Sequence, residues 1–265
     1  SGFSHGTDVW LNNAQDYIRS GTATMREVIS TRDDIMNYLI LKGVENETAF
    51  KIMEIVRKGK KDLDEQQVAT MKEHNVPDWY IDSCNKIKYM FPRAHAVAYT
   101  MMSFRMAWYK VYYPQEFYAT YFTTKVANFD AETILKGKEA ILARMDEITA
   151  KGTNASAKEK DDYTILEVAY EMYARGYEFT PARLGKSDAV KFDADDGKVL
   201  LPFVAIEGVG ETAARAFAEE YAAKPFDTIE EAIKRAKLNK TAVEGLRDHG
   251  VFAGLPETDQ LSMFL

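Results

Sequence analysis

The sequence has 265 residues, 46% hydrophobic and 28% charged, a balance that suits a water-soluble chain of one large or two ordinary domains. Its formal charge of -7 excludes a protein that coats nucleic acid over its whole surface, although basic runs stand at Arg57-Lys58-Gly59-Lys60-Lys61 and at Lys86-Ile87-Lys88 with Arg93. No uncharged apolar run is long enough to span a bilayer, so neither a transmembrane helix nor a membrane partner is expected, and a single cysteine, Cys84, excludes an internal disulfide and fits the cytoplasm.

The start, Ser1-Gly2-Phe3-Ser4-His5-Gly6, has neither the basic beginning nor the apolar core of a signal peptide. Without a Met it reads as the beginning of a fragment or a processed chain. The Asn-x-Ser/Thr triplets at Asn46, Asn154 and Asn239 then carry no sugar, because glycosylation needs secretion. Ser4-His5-Gly6-Thr7-Asp8 is a polar loop that runs into a helix at Val9-Trp10-Leu11. It is either an N-cap or a loop that presents His5 and its hydroxyls to a ligand.

Up to Arg175 the pattern is mostly helical. Thr24-Met25-Arg26-Glu27 has the spacing of a capping box, with apolar residues at Met25, Val28 and Ile29. Ile35, Met36, Leu39 and Ile40 form the next face, closed by Gly43. Phe50, Met53, Ile55 and Val56 form another. Pro77 opens a helix through Trp79, Ile81 and Ile87. A long helix rich in Met and aromatics is expected over 93–112, broken at Tyr113-Pro114. Helices over 131–150 and 160–174 follow, the second behind a capping box at Ser156-Ala157-Lys158-Glu159. Residues 175–204 then alternate apolar and polar, with a turn at Asp195-Asp196-Gly197, and predict a β-hairpin or small sheet. Helices return near Glu211. The fold class is therefore mostly α, with a small α+β region towards the end.

The segment from Lys86 to Tyr99 is the densest in chemistry. Pro92 places Arg93 at a helix start, where free N–H groups and the dipole favour an anion. His95, Tyr99 and Met106 share a helix face, with Met102 beside them. Arg93, Lys88 and Lys86 bring charge to that end, so a nucleotide phosphate is one reading. A core helix with one tolerated His is the other. Ala205-Ile206-Glu207-Gly208-Val209-Gly210-Glu211-Thr212 follows the helix-hairpin-helix pattern. Its glycines let the backbone approach a DNA phosphate, and Thr212 can cap the following helix. Lys237-Leu238-Asn239-Lys240 is a second candidate hairpin. Two such hairpins track a duplex backbone without reading its bases. No Walker loop, zinc spacing or nucleophile elbow is present.

Ser1-Gly-Phe-Ser-His-Gly-Thr-Asp-Val-Trp10, Asn75-Val-Pro-Asp-Trp-Tyr-Ile-Asp-Ser83 and Lys88-Tyr-Met-Phe-Pro-Arg-Ala-His-Ala-Val-Ala-Tyr99 closely resemble the PolC-type replicative DNA polymerase III α subunit of low-GC Gram-positive bacteria, as does Gln260-Leu-Ser-Met-Phe264. The resemblance covers essentially the whole chain. It implies the C-terminal part of that enzyme: fingers over 1–152, a duplex-binding region over 153–256 and a clamp-binding tail over 257–265. It implies that His5, Thr7, Arg32, Lys88, Arg93, His95 and Tyr99 bind the incoming dNTP. Arg57, Lys58, Lys60, Lys61, Gly208, Val209, Gly210, Thr212 and Lys240 would bind primer–template DNA. Gln260, Leu261, Met263 and Phe264 would bind the sliding clamp, and other replisome proteins are expected partners. The palm carboxylates that hold two Mg²⁺ ions would lie upstream of Ser1, leaving no catalytic residue in this chain and an isolated chain that does not polymerise. Arg93 stands where the family usually has Lys, and Leu265 follows the phenylalanine that usually ends it. Two alternatives stay open on the residues. One is a helix-hairpin-helix DNA glycosylase, with Asp227 echoing its catalytic Asp. The other is a non-enzymatic DNA-binding adaptor.

Overall fold

The computed structural model describes residues 1–258. The expected clamp-binding residues Gln260, Leu261, Met263 and Phe264 lie outside these. The described chain is mostly helical with one three-stranded sheet, the fold class expected from the sequence. It divides into two compact units, Ser1–Met106 and a second that begins at Ala107.

The first unit holds α1 (Gly2–His5), α2 (Gln15–Arg19), α3 (Arg32–Leu41), α4 (Asn46–Lys58), α5 (Glu65–Glu73), α6 (Asp78–Lys86) and the start of α7 (Arg93–Tyr112). Its core is the apolar stripe of these helices, with Ile35, Leu39, Ile52, Met71, Tyr80 and Ile87 buried. Caps decide where the helices begin. Glu45 accepts the N–H groups of Glu47 and Thr48 at 2.9 and 2.8 Å, and Asp64 accepts that of Gln67 at 2.8 Å.

Two expectations fail here. Residues 24–29 form turns, not a helix: Glu27 does reach back to the N–H and hydroxyl of Thr24, at 2.8 and 2.7 Å, yet no helix follows. The helix begins instead at Arg32, where Asp34 reaches back to the Thr31 N–H at 2.8 Å. The helix expected at Val9-Trp10-Leu11 is also interrupted, with non-helical angles at Leu11, Asn12 and Asn13. The cause is tertiary. The buried Asn13 amide donates to the Asp8 and Ser83 carbonyls at 2.8 and 3.1 Å and accepts from the Ser83 hydroxyl at 2.6 Å, which draws the backbone towards α6.

The second unit continues with α8 (Pro114–Thr124), α9 (Ala131–Leu135), α10 (Lys138–Ala150), α11 (Ala157–Ala174), strands β1 (Glu178–Thr180), β2 (Asp193–Asp195) and β3 (Lys198–Leu200), then α12 (Glu211–Ala223), α13 (Ile229–Ala236) and α14 (Lys240–Asp248). Phe122 centres the first part of its core, with ring centroids 5.4, 5.0 and 5.9 Å from Phe129, Phe179 and Phe192. The single helix expected over 131–150 is two, because Gly137 at φ 92 turns the chain between them. The hairpin is present: β2 and β3 are antiparallel, with Asp195 opposite Lys198 around a two-residue turn whose Asp196 and Gly197 both have positive φ. β1 joins the other edge of β3 in parallel, pairing Phe179 with Val199. The boundary expected after residue 152 lies inside this second unit, and Lys151 pairs there with Glu159.

Candidate functional site

The first unit brings most of the expected nucleotide residues together. Thr7 pairs with Tyr89 in an isolated antiparallel bridge, its N–H donating to the Tyr89 carbonyl at 3.0 Å and its carbonyl accepting the Lys88 N–H at 3.1 Å. This sets the end of α1 beside the start of α7; Ser4 and His5 are thus helical, not part of the polar loop expected from the sequence, which is confined to Gly6–Asp8. A row of rings results. Tyr89 meets Phe91 at 5.4 Å, Phe91 meets His95 at 4.7 Å, and His95 meets Tyr99 at 4.6 Å. His5 closes the row at 5.6 Å from Phe91 and 5.7 Å from Tyr99. The spacing i, i+4 on α7 put His95 and Tyr99 in reach of each other, but only the fold adds His5 and Phe91. One nitrogen of His5, Nδ1, lies 3.0 Å from the Ser1 carbonyl and 2.9 Å from the Ser4 hydroxyl.

α7 is not the core helix of the alternative reading, since none of its residues is buried. Tyr99 is 52% exposed and Met102 55%. The charges at its start are arranged differently from expectation. Arg93 does open α7, but its N–H donates to Asp33 at 2.5 Å and its guanidinium to Asp34. Lys86 does not face this end; it lies 2.8 Å from Asp82 and 3.1 Å from the Tyr17 hydroxyl, over the Tyr17 ring. Lys88 is exposed and has no ion pair among the described residues.

The basic run after α4 packs directly on this segment. A Cβ on Gly59 would come 2.1 Å from the Lys88 carbonyl oxygen, and Gly59 has φ 54, so both space and backbone require glycine there. The contact joins Lys60 and Lys61, both exposed and unpaired, to Lys88. Arg57, Lys58 and Arg32 are already engaged. Arg57 donates to Glu54 at 2.5 and 2.8 Å, Lys58 lies 3.3 Å from it and Arg32 3.8 Å. The Arg32 N–H also donates to the Phe91 carbonyl at 3.1 Å. Sequence reasoning missed Phe91, Asp33, Asp34 and Glu54. The pattern Thr31-Arg32-Asp33-Asp34, spaced as a capping box, was the one legible signal among them.

In the second unit Phe203–Ala205 forms one 3-10 turn, and the hairpin from Ile206 to Gly210 leads into α12. The two glycines differ. Gly208 has φ 84, and a Cβ there would come within 2.9 Å of the Thr241 carbonyl, so it serves the packing of the hairpin on α14. Gly245 repeats this from the other side, 2.2 Å from the Glu207 carbonyl for the same hypothetical Cβ. Gly210 caps α12 and has open space on its Cβ side. Val209 is buried, and its N–H is spent on the Ile206 carbonyl at 3.1 Å. Thr212 does not cap α12; it sits exposed in the first turn, after Gly210 has already taken the cap position. The second hairpin is formed as well. Lys237 ends α13 at φ 52, Asn239 caps α14 by accepting the Ala242 N–H at 2.8 Å, and the Lys240 side chain is 90% exposed. Asp227, the residue a glycosylase would use, is 71% exposed and paired with Lys224 at 3.1 Å.

Among the described residues no group of three His, Cys, Asp or Glu side chains is placed to hold a metal, and no helix is long and apolar enough to cross a membrane. Fold and site together describe a helical unit with a row of rings beside an arginine at a helix start, followed by paired hairpins between helices. Residues 1–76 match the bacterial DNA polymerase III alpha subunit finger domain, and residues 176–261 match the helix-hairpin-helix motif. Over 264 residues the chain is 54% identical to a PolC-type DNA polymerase III of Caldanaerobacter subterraneus subsp. tengcongensis, 52% to that of Clostridium perfringens and 49% to that of Bacillus subtilis. These alignments cover 100% of the chain but only 18–19% of each relative.

The charge arrangement has a measurable consequence. Hydrogen bonds from Arg57, opposed by burial and aided by Lys58, hold the Glu54 carboxyl down at about 2 from an ordinary 4.5. A folded pKa below the unfolded one stabilises the fold above about pH 4.5 and is lost as pH falls towards about 2. Glu54→Gln should lower the melting temperature at pH 7 by about 2–4 °C, the effect of losing ~1 kcal/mol in a chain this long. It should also flatten the loss of stability between those two pH values, followed by circular dichroism. An acid limb unchanged by the substitution would contradict the assignment.

Proposed function

We propose that this chain is the part of a replicative DNA polymerase that holds the incoming dNTP and the primer–template duplex. The observation that carries this is the row of five rings beside Arg93 at the start of α7, with His95 and Tyr99 on the helix and His5 brought in from α1. Arg93, Lys88 and His95 would take the triphosphate, Tyr99 the base or sugar, and His5, Thr7 and Arg32 would line the same place. The two Mg²⁺ ions that such a reaction uses would be held by carboxylates outside this chain, so the chain by itself would bind and not polymerise. Charge-assisted contacts to phosphate are worth ~1.5–3 kcal/mol each. Arg93→Ala in the polymerase that contains this chain should therefore raise the apparent KM for nucleotide by roughly tenfold or more. An unchanged KM would remove Arg93 from the site.

Duplex binding would fall to Lys60 and Lys61 of the first unit, with Arg57 and Lys58 beside them, and to the two hairpins of the second. There the free N–H groups around Gly210 and Thr212, together with Lys240, would meet phosphates. Gly208 and Val209 would hold the hairpin in shape from behind. Contacts of this kind release counterions and ignore sequence. Binding of the chain to duplex DNA should weaken steeply with salt, and Lys240→Ala should reduce the slope of log K against log salt by about one. Equal affinity at low and moderate salt would sink this part of the proposal.

Gln260-Leu261-Ser262-Met263-Phe264 has the form of a clamp-binding peptide: a glutamine followed by apolar side chains. Leu261, Met263 and Phe264 would enter a groove on the sliding clamp, with Gln260 at its mouth. One short peptide must offset its own ordering entropy, so processivity would come from linkage to the DNA-binding units and to other replisome proteins. Deleting residues 260–265 should abolish clamp binding in a pull-down while leaving DNA affinity and melting temperature within error. Retained clamp binding after that deletion would place the contact elsewhere.

A further inference from the structure

The start of α7 is the place the proposed function gives to a phosphate, and in this chain two carboxylates of α3 already hold it. Asp33 accepts the Arg93 N–H at 2.5 Å, and Asp34 accepts from Nη2 of the Arg93 guanidinium. The two carboxylates are fastened very differently. The second oxygen of Asp34 accepts the Ser30 N–H at 3.0 Å, the Ser30 hydroxyl at 2.7 Å and the Thr31 N–H at 2.8 Å. Burial alone would raise its pKa, but the donors from Ser30, Arg93 and Thr31 outweigh it and hold the carboxyl below the usual range. Asp34 cannot swing away without undoing the start of α3. Asp33 has no such anchor: its hydrogen bond to the Arg93 N–H is its one contact of that kind among the described residues.

We propose that these neighbours act on the nucleotide in opposite directions: Asp34 is a positioning residue that aims the Arg93 guanidinium, and Asp33 is a built-in competitor that occupies the α7 start until a phosphate displaces it. This rests on the reading that Arg93 binds nucleotide. A guanidinium has five donors in a fixed fork. Asp34 engages one nitrogen, which leaves Nε and Nη1 of Arg93 for phosphate oxygens, and the side chain is 51% exposed and open to a ligand. A carboxylate and a phosphate seek the same helix-start N–H, because both are anionic acceptors drawn to the positive end of the dipole. A triphosphate carries more charge and more acceptor oxygens than Asp33, so it can take the position. A weaker anion meets a position already filled. Until then the first N–H of α7 and one nitrogen of the Arg93 guanidinium each have a carboxylate partner.

The test is steady-state primer extension by the polymerase that contains this chain, carrying Asp33→Asn, Asp34→Asn or Arg93→Ala, with KM for dNTP and kcat measured separately and melting temperatures recorded. Asp33→Asn should lower KM by roughly threefold or more with kcat close to the parent's, because the competitor loses its charge. Asp34→Asn should raise KM by a comparable factor. A merely structural role would lower both melting temperatures and shift neither KM in these opposite senses. If Arg93→Ala raises KM but Asp33→Asn leaves it unchanged or raises it, the competitor role is overturned and the nucleotide site stands. If Arg93→Ala leaves KM unchanged, the nucleotide site falls and this inference with it. Should Asp34→Asn fail to fold, the Asp33→Asn result decides alone.

Discussion

A helix of 20 residues must satisfy N–H groups and a partial positive charge at its start, and in α7 the first turn of α3 meets part of that demand. Asp33 takes the first N–H, Asp34 takes the Arg93 side chain, and the Arg32 N–H donates to the carbonyl of Phe91 two residues before the helix. Three consecutive residues of α3 thus tie down the helix start that Pro92 opens. The row of rings follows from that placement. With Phe91 fixed, His95 and Tyr99 project from successive turns, and the Thr7–Tyr89 bridge brings His5 against them. The candidate nucleotide site is a consequence of how one helix start is satisfied by another.

Close backbone approach is the second recurring constraint. Gly59 against Lys88, Gly208 against Thr241 and Gly245 against Glu207 are contacts in which a single methyl group would collide with main-chain atoms. Each joins segments distant in sequence. The first merges two basic runs into one surface, and the others lock a hairpin onto α14. In the hairpin this changes what the glycines are for. Gly208 serves the interior of its own domain, while Gly210 leaves the start of α12 open towards whatever approaches it.

The basic surface is also weaker in free charge than its composition suggests. Glu54 draws Arg57, Lys58 and Arg32 to itself, so Lys60, Lys61 and Lys88 carry the unpaired charge on that side. A half-buried carboxylate shared among three cations holds their side chains and leaves the unpaired lysines for an external anion. That division suits a surface that must hold its shape before a ligand arrives.

The sequence by itself determined the local features. Pro92 and Tyr113-Pro114 bounded α7, Ser156 and Glu159 announced α11, Asp196-Gly197 made the hairpin turn, and Gly-x-Gly marked the start of α12. These are legible because each depends on residues within one turn of one another. The spacing of His95 and Tyr99 was legible for the same reason. The rest was decided by contacts between distant segments. Thr24 and Glu27 spell a helix start that the fold does not use, and Asn13 gives up helical geometry to reach Ser83, 70 residues away. The parallel pairing of β1 with β3, the Glu54 cluster and the carboxylates on Arg93 likewise have no local signature. Local pattern says which residues prefer to turn, cap or alternate. Only the assembled chain says which donor meets which acceptor, because a charge or a buried amide takes the partner that tertiary packing places within reach.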